Sequence, residues 1–353
     1  MHKGTDFRRA LTPASPLRGA PIAVVPHSRL GRQTYDELNL TRLLSLHRVG
    51  WTAAIIALAL FLTAPLALAA DRIVIDDLGL KVAVKQNVQR IVSLVPTNSE
   101  MVCLLACEKL KGGTRYDEIP PELKKRVQQK LVDIVGGGFD ANLEKIVQLQ
   151  PDLILTNGPS QQRFAVPLKN LGYPVLSLWP RDISSLRKDF LLLGQLLARE
   201  HKAEQILDQV QGELLEVEAS AKNRRRQRVY LQMWTEPLIT VGRSSFPHWL
   251  VAAAGGINVF GDMPFDSGQI SLEAIIQRNP EVLIFLGDQK SFAEKIKTQA
   301  GWSVIGGVRN ERFCFIEERD IRRSVQFVSG LKKIHDCLFN ETKTASRPVP
   351  EAN

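Results

Sequence analysis

Two glutamates, Glu144 and Glu273, occupy the same place in two related segments of the chain. Asn142-Leu-Glu-Lys-Ile-Val-Gln-Leu-Gln-Pro-Asp-Leu-Ile-Leu and Ser271-Leu-Glu-Ala-Ile-Ile-Gln-Arg-Asn-Pro-Glu-Val-Leu-Ile agree at five of fourteen positions. Asn142 and Ser271 are good helix N-caps, Pro151 and Pro280 stop each helix, and an apolar strand pattern follows. A carboxylate in a first helical turn stabilises the helix by about 0.3 to 1 kcal/mol, which is reason enough for both residues. The other reading is a pair of exposed carboxylates, one per half, that docks on a partner carrying two basic patches.

The groupings that enzymes use are missing from the sequence. It has no G-x-S-x-G elbow, no G-x-x-x-x-G-K-[ST] loop, no H-E-x-x-H and no paired C-x-x-C. Beyond residue 70 the histidines are His201, His248 and His335, each isolated, whereas a bare metal ion needs several converging ligands. Gly136-Gly137-Gly138 lacks phosphate-loop spacing and reads as a lobe-rim loop. The run Arg224-Arg225-Arg226 with Arg228 follows a helical stretch, where cations favour the negative dipole end, and reads as a solvated cap. Cys103 and Cys107 read as core residues on one helical face, and Cys314 and Cys337 as a candidate bridge in an oxidising compartment. These features point away from catalysis, capture of a bare metal ion and nucleic acid.

The elements that position these residues alternate between short apolar strands and amphipathic helices, the pattern of an α/β fold. Strands are expected at Arg90–Leu94, Asp152–Thr156, Val175–Leu178, Val229–Met233, Glu281–Leu286 and Phe313–Ile316. Between the two sets runs a helical stretch, Ile183–Lys222, broken near Ala198–His201, with Ile206, Val210, Leu214 and Val217 at helical spacing in its second part. The expectation is two α/β lobes, a pseudo-duplicate, bridged by a single long α-helix with a ligand cleft between them. Residues 70–182 form the first lobe, 183–222 the helical segment, 223–340 the second lobe and 341–353 a flexible tail.

The first 69 residues belong to neither lobe. His47 and Arg48, the apolar run Trp51–Leu62, Pro65 and Ala67-Leu68-Ala69 read as a cleavable secretory signal over 46–69. Uncharged from Val49 to Ala70, the segment also nearly reaches the length of a membrane anchor, although Pro65 and the small residues favour cleavage. Residues 1–45 read as a disordered extension or a start codon placed too early. The formal charge is +9, and residues 1–69 carry eight Lys or Arg against three Asp or Glu, leaving about +4 on the exported part. That weakens a nucleic-acid reading. No cysteine follows the cleavage site to take a lipid, so the product is expected free in the periplasm, as a monomer.

A family resemblance rests on a series of motifs in order. Arg90-Ile-Val-Ser-Leu-Val-Pro-Thr-Asn-Ser-Glu100, Tyr116–Pro121, Gly137-Gly-Phe-Asp-Ala-Asn-Leu-Glu144, Pro151-Asp-Leu-Ile and Trp234–Asp262 resemble the class III periplasmic receptors for vitamin B12, haem and iron siderophores. Met233-Trp-Thr-Glu-Pro-Leu, Gly242-Arg-Ser-Ser-Phe and Ala254-Gly-Gly-Ile-Asn look most like the cobalamin branch. The resemblance implies little hinge closure, and it puts Glu144 and Glu273 where such receptors meet arginines of an ABC importer permease. The ligand would sit at the cleft mouth, with no resident cofactor or metal. In the first lobe Pro96, Thr97, Asn98, Tyr116, Phe139 and Trp179 are candidate contacts. In the second they are Trp234, Phe246 and Trp249 for aromatic area and Arg243, Arg319 and Arg322 as donors.

The chain departs from the family pattern at Arg322-Arg-Ser-Val-Gln326, where Arg-x-Ser-Pro-Arg is usual, and at Gly138, where a relative has a Trp and Phe139 stands beside it. A ferric siderophore or haem is the alternative ligand, through Arg319, Arg322 and Arg323 with Tyr116. An exported enzyme using the same cleft is the reading from another class, and a degenerate receptor serving a membrane partner is a third.

Overall fold

The computed structural model describes residues 71–339, so the readings for 1–45, the leader 46–69 and the tail 341–353 lie outside the described residues. The description opens with an antiparallel hairpin of β1 (Arg72–Ile75) and β2 (Lys81–Val84). Strand alternation buries Val74, Val82 and Val84 and leaves Ile73 and Ile75 exposed. Asp76 closes its turn by accepting from the Leu78 and Leu80 amides at 3.0 and 2.8 Å.

The first lobe is a parallel sheet in the order β5-β4-β3-β6-β7. Its strands are β3 (Ile91–Ser93), β4 (Leu110–Gly113), β5 (Asp133–Ile134), β6 (Leu153–Thr156) and β7 (Val175–Ser177). The helices α1 (Pro96–Ala106), α2 (Pro121–Gln128), α3 (Leu143–Gln148) and α4 (Gln162–Asn170) connect them. The central strands are buried throughout, as helices on both faces of a parallel sheet require.

Two helices lead to the second lobe. α5 (Ile183–Leu197) starts from a capping box between Asp182 and Ser185 and ends at Ala198, whose φ of 55° breaks the helical path. α6 (Glu200–Ala221) then runs 22 residues, about 33 Å at the helical rise. Near its start Lys202 donates to the Leu105 carbonyl of α1. Near its end Glu213 pairs with Lys332, and Ser220 meets His335. One rigid rod therefore packs on both lobes.

The second sheet has β8 (Gln227–Thr235), β9 (Leu238–Val241), β10 (Gly256–Asn258), β11 (Ser267–Gln269), β12 (Val282–Leu286) and β13 (Phe313–Ile316). Its order is β11-β9-β8-β12-β13 with β10 beside β8, and β9 and β11 are antiparallel. Its helices are α7 (Phe246–Ala253), α8 (Leu272–Arg278), α9 (Lys290–Ile296), α10 (Gly306–Arg309) and α11 (Val328–Phe339). The chain thus forms two α/β lobes connected by helices.

The internal repeat has a physical basis. Asn142 caps α3 by accepting from the Lys145 amide, and Ser271 caps α8 by accepting from the Ala274 amide. The acid after each proline then clamps the start of the neighbouring strand: Asp152 accepts from the Gln89 and Arg90 amides, and Glu281 from the Arg228 amide. Arg90 donates to the Leu149 carbonyl at the end of α3, and Arg228 to the Arg278 carbonyl at the end of α8. Two arginines and two acids repeat with the same duties.

One expectation needs correction and another gains detail. The arginine run is exposed, as read, and it also makes contacts: Arg225 pairs with Glu281 at 2.8 Å, Arg226 donates to the Gly256 carbonyl, and Arg224 lies over the Phe339 ring. Cys103 and Cys107 are buried, as read, but they form a disulfide, and Cys314 with Cys337 form another.

One buried group makes stability depend on pH. Asp189 of α5 has no exposed surface, and burial together with the Asp77 carboxylate pushes it up to about 8, against the opposing pull of Lys188. Between the ordinary carboxyl range and pH 8 the native state therefore holds a proton that the unfolded chain releases, so this group's stabilisation is lost as pH rises through that window. Asp189→Asn should leave the melting temperature little changed near pH 4 and raise it relative to the wild type near pH 9, read by thermal melts across pH.

Candidate functional site

A cleft of about 410 Å³ opens between the lobes. Thr97, Phe139 and Asn157 line it from the first lobe, just beyond the carboxyl ends of β3, β5 and β6. Met233, Asp266, Leu286, Glu318, Arg322 and Arg323 face them from the second. Leu286 ends β12 and Glu318 follows β13, so both lobes point the carboxyl ends of their parallel strands at one space. A second depression of about 250 Å³ shares Met233, Leu286 and Glu318 with the cleft and adds Trp234.

The first-lobe wall is built by bracing a glycine-rich loop. Asp140 accepts from the Gly137 amide at 2.7 Å and pairs with Arg115, while Gln161 donates to the Leu94 and Gly138 carbonyls. Gly136 has φ of 135°, and a side chain there would meet the Asp140 carbonyl at 2.5 Å. Thus supported, Phe139 stands 76% exposed at the cleft, and Arg163 holds its carbonyl. Trp234 is likewise 58% exposed, with its indole N–H donated to the Glu236 carbonyl.

The second-lobe wall depends on Arg323. Its guanidinium donates to Asp266 at 2.6 Å and to the Pro180 carbonyl at 2.9 Å, and it stacks 3.8 Å over the Trp179 ring. Trp179 and Pro180 belong to the first lobe and Asp266 to the second, so one cation ties the two walls.

The residues singled out in the sequence divide into several groups. Thr97, Phe139 and Arg322 come together in the cleft, and Trp234 adjoins it. Pro96 opens α1 beside Thr97, half-buried. Asn98 is 2% exposed and donates to the Thr156 carbonyl, which makes it a tie between α1 and β6. Tyr116 is exposed beside the Arg115 guanidinium, and Trp179 lies beneath Arg323. Phe246 has no exposed surface; it forms a core cluster with Trp249 and Phe327 at ring separations of 5.2 to 5.6 Å. Arg243 and Arg319 are exposed and stand outside the cleft wall.

The sequence reading passed over Asn157, Met233, Asp266 and Glu318 as wall residues, and it named Arg323 only for the siderophore or haem alternative. Asn157 directly follows an expected strand and Glu318 stands two residues beyond one, and that position was the available signal. Among the described residues no three His, Cys, Asp or Glu side chains converge to hold a metal ion. Replacing Arg323 by Ala strands Asp266 and uncovers Trp179. Its unfolding free energy should fall by about 2 kcal/mol in denaturant titrations, and Arg323→Lys should recover only part, because an ammonium cannot reproduce the planar fork and the stacking.

Comparison with known proteins agrees with this geometry. Residues 91–319 match the sequence pattern of the periplasmic binding protein family. An uncharacterised ABC transporter substrate-binding lipoprotein of Bacillus subtilis is 26% identical over 283 residues, covering 76% of this chain and 86% of its own. The vitamin B12-binding protein of Salmonella typhimurium is 28% identical over 214 residues, covering 60% and 77% respectively. A solved structure, a possible iron-binding (periplasmic solute-binding) protein of Staphylococcus epidermidis, matches with a TM-score of 0.63 at 25% identity, covering 72% of this chain and 99% of that one.

Proposed function

The chain belongs to the periplasmic binding protein family, and from that premise we propose that it captures cobalamin or a related corrinoid and hands it to the permease of an ABC importer through Glu144 and Glu273. Membership makes the role one of ligand delivery in transport, without catalysis.

The observation that carries the ligand reading is the pair of exposed aromatics, Phe139 from the first lobe and Trp234 from the second, beside a cleft wall that also offers polar groups. Large aromatic faces left in water favour a ligand that covers them, and a corrin is a broad macrocycle fringed with amides. The Salmonella relative at 28% identity supports the same choice. A ferric siderophore or haem is the second reading, favoured by Arg322 in the wall and by the Staphylococcus relative.

The docking part rests on symmetry. Glu144 and Glu273 are exposed in the first turns of α3 and α8, and neither forms an ion pair among the described residues. Glu273 is held within its own helix start by its backbone amide and the Ser271 hydroxyl, and both carboxylates remain exposed to arginines on a membrane subunit.

Titration of the purified protein with cyanocobalamin, haem and a ferric hydroxamate separates the ligands. Tight one-to-one binding of cyanocobalamin alone is expected, weakened about tenfold or more by Trp234→Ala or Phe139→Ala; binding of an iron chelate alone would replace the ligand and keep the receptor. The double variant Glu144→Ala, Glu273→Ala should keep its ligand affinity and lose at least about tenfold in delivery to its permease in reconstituted vesicles, a loss of about 1.4 kcal/mol or more.

A further inference from the structure

Three consecutive residues leave the second lobe's 3-10 turn at Glu318–Ile321, and each engages the first lobe. Arg323 donates to the Pro180 carbonyl. Ser324 donates its hydroxyl to Glu100 of α1. Arg322 acts electrostatically on Glu100 and on Asp117, and it lines the cleft without a hydrogen-bond acceptor of its own among the described residues.

The acids on the other side are buried. Glu100 has 0% and Asp117 4% exposure. Asp117 accepts from the Thr114 hydroxyl at 2.7 Å, whereas Glu100 Oε2 has no partner among the described residues. Of the other charges on elements packed against α1, Lys109 donates to Asn87 and to the Leu197 carbonyl, Lys111 donates to the Glu108 carbonyl, Glu108 pairs with Arg199, and Asp189 lies against Lys188 and Asp77; Arg126 of α2 has a buried Nε without a partner among the described residues, and the charges that act on Glu100 are Arg322 and Asp117. A carboxyl with one satisfied oxygen, one orphaned oxygen and one cation nearby gains little from being ionised.

We propose that Glu100 is a positioning residue that couples ligand capture to a proton. An anionic group on the bound molecule draws the Arg322 guanidinium away from the two carboxyls, and Glu100 takes up a proton from solvent in its place. The inference rests on the reading of the cleft as the ligand site, and not on which metal chelate fills it.

The direction of the linkage follows from the charges. Burial pushes the Glu100 carboxyl up to about 7, with the Ser324 bond and Arg322 lowering it and Asp117 raising it. Withdrawing Arg322 removes a lowering influence and a ligand anion adds a raising one, so the complex holds more proton than the free protein at and above neutrality. Affinity therefore falls as pH rises through and beyond about 7.

The test is calorimetric titration of the purified protein with cyanocobalamin near pH 7 in two buffers of different protonation enthalpy, for the wild type and Glu100→Gln. The wild type should take up a fraction of a proton and lose affinity several-fold between about pH 6 and pH 8. Glu100→Gln should still bind, with no proton uptake and a flat pH profile, a result that a merely structural role for Glu100 does not give. Equal proton counts in the two proteins overturn the proposal and leave the ligand reading intact. No binding of cyanocobalamin defeats that ligand reading. Melting curves of the ligand-free proteins then decide: the wild type must lose stability more steeply than Glu100→Gln as pH rises towards 7, and equal slopes sink the coupling.

Discussion

A guanidinium whose side chain keeps only 14% of its exposure persists in a fold only if its charge is answered, and Arg323 is answered from both lobes. Asp266 neutralises it, the Pro180 carbonyl takes a second donor, and the Trp179 face covers what remains. Because these partners lie on different lobes, the cleft cannot open at this point without exposing an aromatic ring and stranding a carboxylate. The position of Arg322 and Ser324 on either side follows from where Arg323 is held. Much of the cleft geometry is thereby set by one residue that offers the ligand little of its own surface.

The bridging helix imposes the complementary constraint. α6 buries Leu207, Val210, Leu214 and Val217 along one face and reaches α1 at one end and α11 at the other. A continuous helix resists bending unless its hydrogen-bond ladder is interrupted, and α6 contains neither Pro nor a recorded break. With a rod on one side and Arg323 on the other, change at the site is more economically made by moving charge and side chains than by swinging lobes. The Glu100 carboxyl, buried and half-satisfied, lies where such a change can be accommodated.

Much of the architecture was legible because its causes are local. The caps at Asn142 and Ser271, the stops at Pro151 and Pro280, and the apolar runs that became β6 and β12 are each decided within a few residues. Strands that depend on distant partners escaped notice. β4 is half glycine, β5 has two residues, β9 is an antiparallel companion to β8, and β11 is one to β9. The β1–β2 hairpin is the exception, since its alternation around Asp76-Asp-Leu-Gly79 was there to be read. The paired duties of Arg90 with Arg228 and Asp152 with Glu281 also needed coordinates, because each reaches across strands.

The site was less legible for the same reason. Thr97 could be found because it follows the expected strand that became β3, and Phe139 because it stands in a glycine-rich loop, whereas Phe246 and Trp249 also adjoin a turn and yet point into the core. Side-chain type does not distinguish these cases; an aromatic residue is buried unless something props it outward, and only Phe139 has the Asp140–Arg115 brace beneath it. Arg322 and Arg323 are adjacent in sequence with opposite fates, one consumed by Asp266 and Trp179 and the other left facing the cleft. That division is set by partners 57 and 144 residues away, and it is what gives the cleft a cation able to answer a ligand. Specificity in this receptor therefore depends less on which charged residues the chain contains than on which of them the lobe contacts have already used.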